Sequence, residues 1–259
     1  MGTWMCHLRV AENIAAHLDG LDIPAFYAGS LAPDSGIPNE TWTEFNPPKS
    51  VTHYLVHGEG EEHIHDLEFY QAYLAGLPAA PFNWKTSFLW GYYFHLLTDV
   101  LWVDFLWKPS QVEWADLFVK IGKVEAVNQL KEDWYGLDHL FLRDHPDWLP
   151  WQIFKSLQLS DIPIDHIPLF AIQTQFDMIR QYYTEEGPKR VLDRAYPYLN
   201  EATMLRVIAD ITTCVLKVYA RLQTQPALDG AVSAVSLLDD HDHDPYPTPL
   251  GDPITPMEA

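Results

Sequence analysis

Apolar residues recur near a helical period over residues 7–18 (HLRVAENIAAHL), at Leu8, Val10, Ile14, Ala15 and Leu18, and Gly20 follows as a stop signal. The chain is therefore expected to open with a short helix. From Leu21 to Glu62 it reads as loop, because Pro24, Pro33, Pro38, Pro47 and Pro48 divide its short apolar pieces. A loop of that length in a globular domain is usually functional or disordered. Asp66 to Leu77 is predicted as a helix and PAAPFN breaks the chain. Asn83 or Thr86 then caps an apolar helix running to Trp107. Further helices are expected at 110–131, 135–143, 147–158, 167–185 and 199–224, between Pro and Gly punctuation. No alternating strand pattern of comparable strength is present. The pattern predicts an all-α fold, a single multi-helix domain over residues 1–228. The tail 229–259 is acidic and Pro-rich and is expected to be disordered.

Residues 87–107 (SFLWGYYFHLLTDVLWVDFLW) are long enough to cross a bilayer but contain His95, Asp99 and Asp104. A central Asp costs roughly 2.5–3.5 kcal/mol on insertion scales, so a buried helix is expected and no transmembrane segment. With 259 residues, 47% of them hydrophobic, the chain can fill a sizeable core. Sixteen Lys+Arg against 36 Asp+Glu give a formal charge of −20, which repels phosphate backbones and anionic lipid surfaces, so no nucleic-acid partner is expected. Carboxylates gathered around divalent cations would be miscounted as net charge, and composition alone leaves that reading open. Cys6 and Cys214 stand far apart and in no CxxC arrangement, so both read as buried thiols. The N-terminal stretch MGTWMCHLRV lacks the features of a secretory signal, and a cytoplasmic location is expected by default.

The sharpest local constellation is His95-Leu-Leu-Thr-Asp99, since residues four apart share one helix face. Both side chains can ligate one metal, or form a hydrogen-bonded pair within the core. Ala32-Pro33-Asp34 adds a carboxylate in a turn, Thr52-His53-Tyr54 a histidine in the long loop, and Cys6-His7-Leu8 another at the first helix. Three His and two Asp suffice for a two-metal site in which one carboxylate bridges.

In that order along a helical chain, HLRVAE, GSLAPD, VTHY and GYYFHLLTD resemble the zinc-dependent phospholipase C family of bacteria. The resemblance covers residues 7–99. It implies a helical domain around a buried zinc cluster, with His53, His95, Asp34 and Asp99 holding one zinc ion and His7 with a bridging Asp99 the second. Secreted members use a processed N-terminal amino group on a Trp as a ligand, which Trp4 only echoes. They also hold a third zinc through a His after the HxxxD helix and a later HxxxE pair. Here Asp104 lies near the first position, and Glu132, Asp133, Asp138 and His139 near the second, with Asp138 the best candidate for a possible third Zn2+ site.

His63 and His65 sit among Glu61, Glu62 and Asp66 and read as surface residues, while His241 and His243 belong to an acidic tail (DDHDHD) that would not preorganise a site. Trp4, Trp42 or Tyr54 could line a pocket. The expected activity is zinc-dependent hydrolysis of a small-molecule or lipid phosphate ester, phosphodiesterase or phosphatase, by a metal-activated water. Asp34 serves either as a ligand or as the catalytic proton acceptor. The alternatives are a non-enzymatic metal-binding protein and a single-strand nuclease.

Overall fold

The computed structural model describes residues 2–41, 44–56, 60, 63–77, 81–184, 187, 189–224, 230–239 and 249–253. Thr3 begins the first helix, α1 (Trp4–Ala15), because its hydroxyl accepts the Cys6 N–H at 3.2 Å and satisfies one of the open donors of the first turn. The stretch after it is not loop throughout. Asp22 caps a second helix, α2 (Ile23–Leu31), by accepting from Ala25 N, and Pro24 sits in its first turn. Ala25 to Leu31 are all buried. A helix enclosed on every side has no polar face, so it lacks the amphipathic period by which a helix is read from sequence.

A 3-10 turn (Ala32–Asp34) leads into a two-residue antiparallel pair, β1 (Ile37–Pro38) and β2 (Phe45–Asn46), in register Ile37 to Asn46 and Pro38 to Phe45. One helical turn, α3 (Lys49–Thr52), follows, then α4 (Asp66–Phe69) with a π-helical turn at Tyr70–Leu74. The central helix is α5 (Trp84–Trp102), started by a capping box between Asn83 and Thr86 and continued by a π-helical turn at Val103–Trp107. Every residue from Ser87 to Trp102 is buried. The apolar 87–107 run is thus the centre of the fold. No helix among the described residues is long and apolar enough to cross a membrane.

Around it stand α6 (Lys108–Glu113), α7 (Ala115–Ile121), α8 (Lys123–Asp144), α9 (Leu149–Ser156), α10 (Leu169–Tyr182) and α11 (Glu201–Thr224). The sequence divided this stretch elsewhere: Gly122, at φ 83°, ends α7, and α8 runs unbroken through the 131–135 gap. The fold is all-α, with the small β1–β2 pair as its only sheet among the described residues.

The tightest crossing joins α2 and α5. A Cβ on Gly29 would stand 2.0 Å from Phe88 O, and one on Gly91 would stand 2.2 Å from Phe26 O. Only glycine lets the two backbones approach so closely. Fully buried Phe26, Phe88, Tyr92, Tyr93, Phe94 and Trp102 fill the layers on either side, each contributing roughly 1.5–3 kcal/mol by leaving water.

Parts of the expected tail belong to this body. Ala234 and Leu250 are fully buried, Ala234 N donates to Asp66 Oδ1 at 3.0 Å, and Asn200 N donates to Leu250 O at 3.0 Å. Asp252 closes a pair of bonds with Tyr196, through its own N–H to Tyr196 O and its carboxylate from Tyr196 N. Residues 230–239 and 249–253 therefore pack on the helices, which corrects the expectation of disorder for these two pieces. The apolar contacts of Ala234 and Leu250 were hidden by the Pro-rich, acidic composition around them.

Candidate metal centre

Four separate segments bring their polar side chains to one buried point. α1 supplies His7, the 3-10 turn after α2 supplies Asp34, the residue that ends α3 is His53, and α5 supplies His95 and Asp99. Two groups form with ligand atoms close enough to hold an ion: His7, His95 and Asp99, and Asp34, His53 and His95. The carboxylate of Asp99 faces both. Its Oδ1 lies 3.2 Å from His7 Nε2, and its Oδ2 lies 3.4 Å from His53 Nε2 and 3.5 Å from His95 Nε2. Asp34 Oδ1 is 3.4 Å from His53 Nε2, and the two Nε2 atoms of His53 and His95 approach to 3.3 Å. The His7 and His95 rings stack in parallel with centroids 3.7 Å apart.

The surrounding groups aim these ligands. His95 Nδ1 lies 2.8 Å from Ser30 O, a carbonyl brought there by the α2–α5 crossing, and His53 Nδ1 lies 2.8 Å from Thr52 Oγ1. The carbonyl can only accept, so His95 donates from Nδ1 and keeps Nε2 as a lone-pair donor pointing into the cluster. Gly2 N donates to Asp99 Oδ1 at 2.9 Å.

Electrostatics favour the ligand form at Asp34, Asp99 and His7 but not at His53, where burial lowers the pKa and the hydrogen bonds and charges of Asp34 and Asp99 outweigh it and raise it. Burial pushes the Asp34 carboxyl up, but the hydrogen bond from His53 and the charges of His95 and Lys49 outweigh it and hold the pKa below the usual carboxylate range. Burial likewise opposes ionisation of Asp99, and His7 and His95 reverse that and hold it well below its ordinary value. His7 is lowered by burial and by His95, which favours the neutral imidazole.

Both ring nitrogens of His7 and the Oδ2 of Asp99 are buried without a hydrogen-bond partner among the described residues. Buried polar atoms left unpaired cost about 1–3 kcal/mol each, and a cation among them would remove that cost. Imidazole nitrogen and carboxylate oxygen are the donor set that zinc accepts, so these residues fit the ion.

A cleft of about 380 Å³ opens onto the Asp34–His53 side. Trp4, Phe45 and Tyr135 form aromatic parts of its wall, and Lys49, Lys131 and Gln175 bring polar groups to it. Tyr54 turns elsewhere: with φ at 55° it packs on Phe69 and His166. Trp42, Glu61, Glu62, His241 and His243 lie outside the described residues.

Asp138 joins neither ligand group. Its Oδ1 accepts from Thr3 Oγ1 at 2.9 Å and its Oδ2 from Tyr183 OH at 2.6 Å, which ties the start of α1 to α8 and α10. Among the other positions near a third site, Asp104 pairs with Lys108, Glu132 with Arg190 and Asp133 with Arg194. His139 packs on Tyr182 and Tyr183. His63 is exposed, and His65 pairs with Glu68 at 3.0 Å. Cys6 and Cys214 are buried, unbridged thiols, and burial pushes the Cys6 thiol up.

Thr52 announced itself only by adjacency to His53, and Lys49 and Lys131 by nothing. Lys49 precedes His53 by one helical turn, and Lys131 precedes Tyr135 by the same spacing. That spacing became informative only once His53 and Tyr135 were seen to share a cleft. Comparisons with protein-family models, with curated proteins and with solved structures gave no match for this chain.

Proposed function

We propose that this protein is a zinc-dependent hydrolase of phosphate esters, holding about two zinc ions between His7, Asp34, His53, His95 and Asp99. The observation that carries the reading is the convergence of these five side chains beside an open cleft, with both His7 nitrogens and Asp99 Oδ2 lacking a hydrogen-bond partner among the described residues. Zinc bound there supplies an acidified water and positive charge for phosphoryl oxygens. Asp99 turns Oδ1 toward His7 and Oδ2 toward His53 and His95, and His95 belongs to both ligand groups. Asp34 is ionised and stands at the cleft wall, where it can ligate or take a proton from an attacking water. Ser30 O holds the tautomer of His95, and Thr52 Oγ1 anchors His53 Nδ1.

The cleft favours this over a purely structural metal site, which closes its coordination shell with protein ligands and needs no adjoining cavity. The test is elemental analysis of purified, metal-replete protein, followed by hydrolysis of nitrophenyl phosphate esters with and without chelator. About two zinc equivalents and chelator-sensitive turnover are expected. Less than about half an equivalent of any transition metal would refute the cluster. Full zinc content with no turnover would leave a metal-binding protein.

A further inference from the structure

The wall of the cleft carries a charge pattern opposite to that of the chain. The whole sequence has 36 acidic residues against 16 Lys and Arg, yet Asp34 is the only carboxylate on the described cleft wall and Lys49 and Lys131 both stand on it. Each lysine reaches the cleft through a local helical spacing. Lys49 opens α3, and its carbonyl accepts from His53 N at 2.8 Å, so it lies one turn before a candidate ligand. Lys131 lies one turn before Tyr135 on α8, and both line the cleft. Trp4, Pro33, Phe45, Pro47 and the Tyr135 ring form the apolar part of the wall, and Thr52, His53 and Gln175 add further polar groups.

Resting on the hydrolase reading above, we propose that the cleft takes a phosphate monoester of an apolar or aromatic alcohol, with Lys49 and Lys131 selecting its second negative charge. A monoester carries up to two charges near neutral pH, and a diester carries one. Lys49 and Lys131, on the cleft wall that Asp34 and His53 also line, bind that extra charge as point cations. The same two groups repel a quaternary ammonium, although aromatic walls alone would welcome one. The apolar wall receives the alcohol, which becomes the leaving group. Water attacks phosphorus, the ester P–O bond breaks, and inorganic phosphate and the alcohol are released.

The experiment uses zinc-loaded full-length protein with two esters sharing one leaving group, p-nitrophenyl phosphate and p-nitrophenyl phosphorylcholine. The monoester is expected to show kcat/KM at least about tenfold higher. Lys49→Ala and Lys131→Ala should each raise its KM by about tenfold, the scale of one charge-assisted hydrogen bond, at unchanged zinc content. Lys49→Arg and Lys131→Arg should keep most of the affinity. Calorimetric titration with inorganic phosphate gives a readout without turnover, and the double alanine variant should bind it about tenfold or more weakly than the unmodified protein. Equal phosphate binding by the two proteins, or a preference for the choline ester, would overturn the proposal. If neither ester is hydrolysed but phosphate binding still depends on the lysines, the hydrolase reading fails and the anion-selective cleft stands.

Discussion

Asp99 is the residue on which the proposed centre turns, because its two oxygens face different histidines while Gly2 N holds one of them. Asp99→Asn keeps the size and can still bond His95, but it removes the charge that offsets two cations. Zinc stoichiometry should fall toward zero in that variant. Full occupancy with only the roughly 1–3 kcal/mol lost from an altered buried contact would return the HxxxD pair to a core hydrogen bond. Thr52→Val tests the next layer: it is nearly isosteric but leaves His53 Nδ1 without its 2.8 Å partner. Zinc affinity, measured by chelator competition, should drop about 10–100-fold with all five candidate ligands retained. At this scale the side chains of the candidate cluster were legible in the sequence, and Lys49 and Lys131 were not. The i, i+4 spacing of His95 and Asp99 announces itself, and short flanking pieces mark His7, Asp34 and His53. The contacts from Ser30 O and Gly2 N belong to the backbone, and no residue type encodes a carbonyl that arrives from a helix crossing.

That crossing is the element on which the geometry depends. Gly29 lies next to Ser30, whose carbonyl meets His95, and a methyl group on Gly29 would have to occupy space 2.0 Å from Phe88 O. Because the obstacle is backbone and not a flexible side chain, α2 must move away from α5. Gly29→Ala should therefore destabilise the fold by about 3 kcal/mol or more and lower zinc affinity in the same sample. Urea unfolding and zinc titration check the two effects, and unchanged values in both would mean that the crossing relaxes without cost. Helix α2 was also the largest error in reading the chain. Its prolines and glycines resemble loop punctuation, and its complete burial erased the amphipathic signal, although Asp22 and Pro24 are an ordinary cap and first turn. The long apolar helix was legible for the converse reason: Asn83 and Thr86 frame its start and its burial is written in the residues themselves.

Across the whole molecule, the C-terminal pieces and the proposed metal centre should contribute stability that depends on conditions in different ways. Asp66 holds residues 230–239 by accepting from Ala234 N and from Tyr93 OH, and burial, only partly offset by those bonds and by Ser233, raises its pKa from 3.8 to about 6. An acid with a raised folded pKa favours its neutral form, so its contribution is full below about pH 4 and is lost as the pH rises through about 6. Relative to the unmodified protein, Asp66→Asn should gain roughly 3 kcal/mol between about pH 4 and pH 7, read from urea melts at each pH. A constant difference would show that Asp66 does not titrate in the fold. The metal centre should act on stability more strongly. Without zinc, the folded chain keeps the Asp99 Oδ2 and both His7 nitrogens buried with no hydrogen-bond partner among the described residues, whereas the unfolded chain hydrates them. Zinc that binds only the folded state adds about 2.7 kcal/mol per site at a hundredfold excess over Kd, or about 5 kcal/mol for two sites. For a chain of this size each kcal/mol moves Tm by roughly 2–4 °C, so chelation should lower Tm by about 10–20 °C, and His53→Ala should lower it by part of that amount. Scanning calorimetry of zinc-replete and chelator-treated protein at one pH measures both. A Tm that does not respond to chelator would mean that the five buried side chains are held by one another and that the native fold binds no ion at this point.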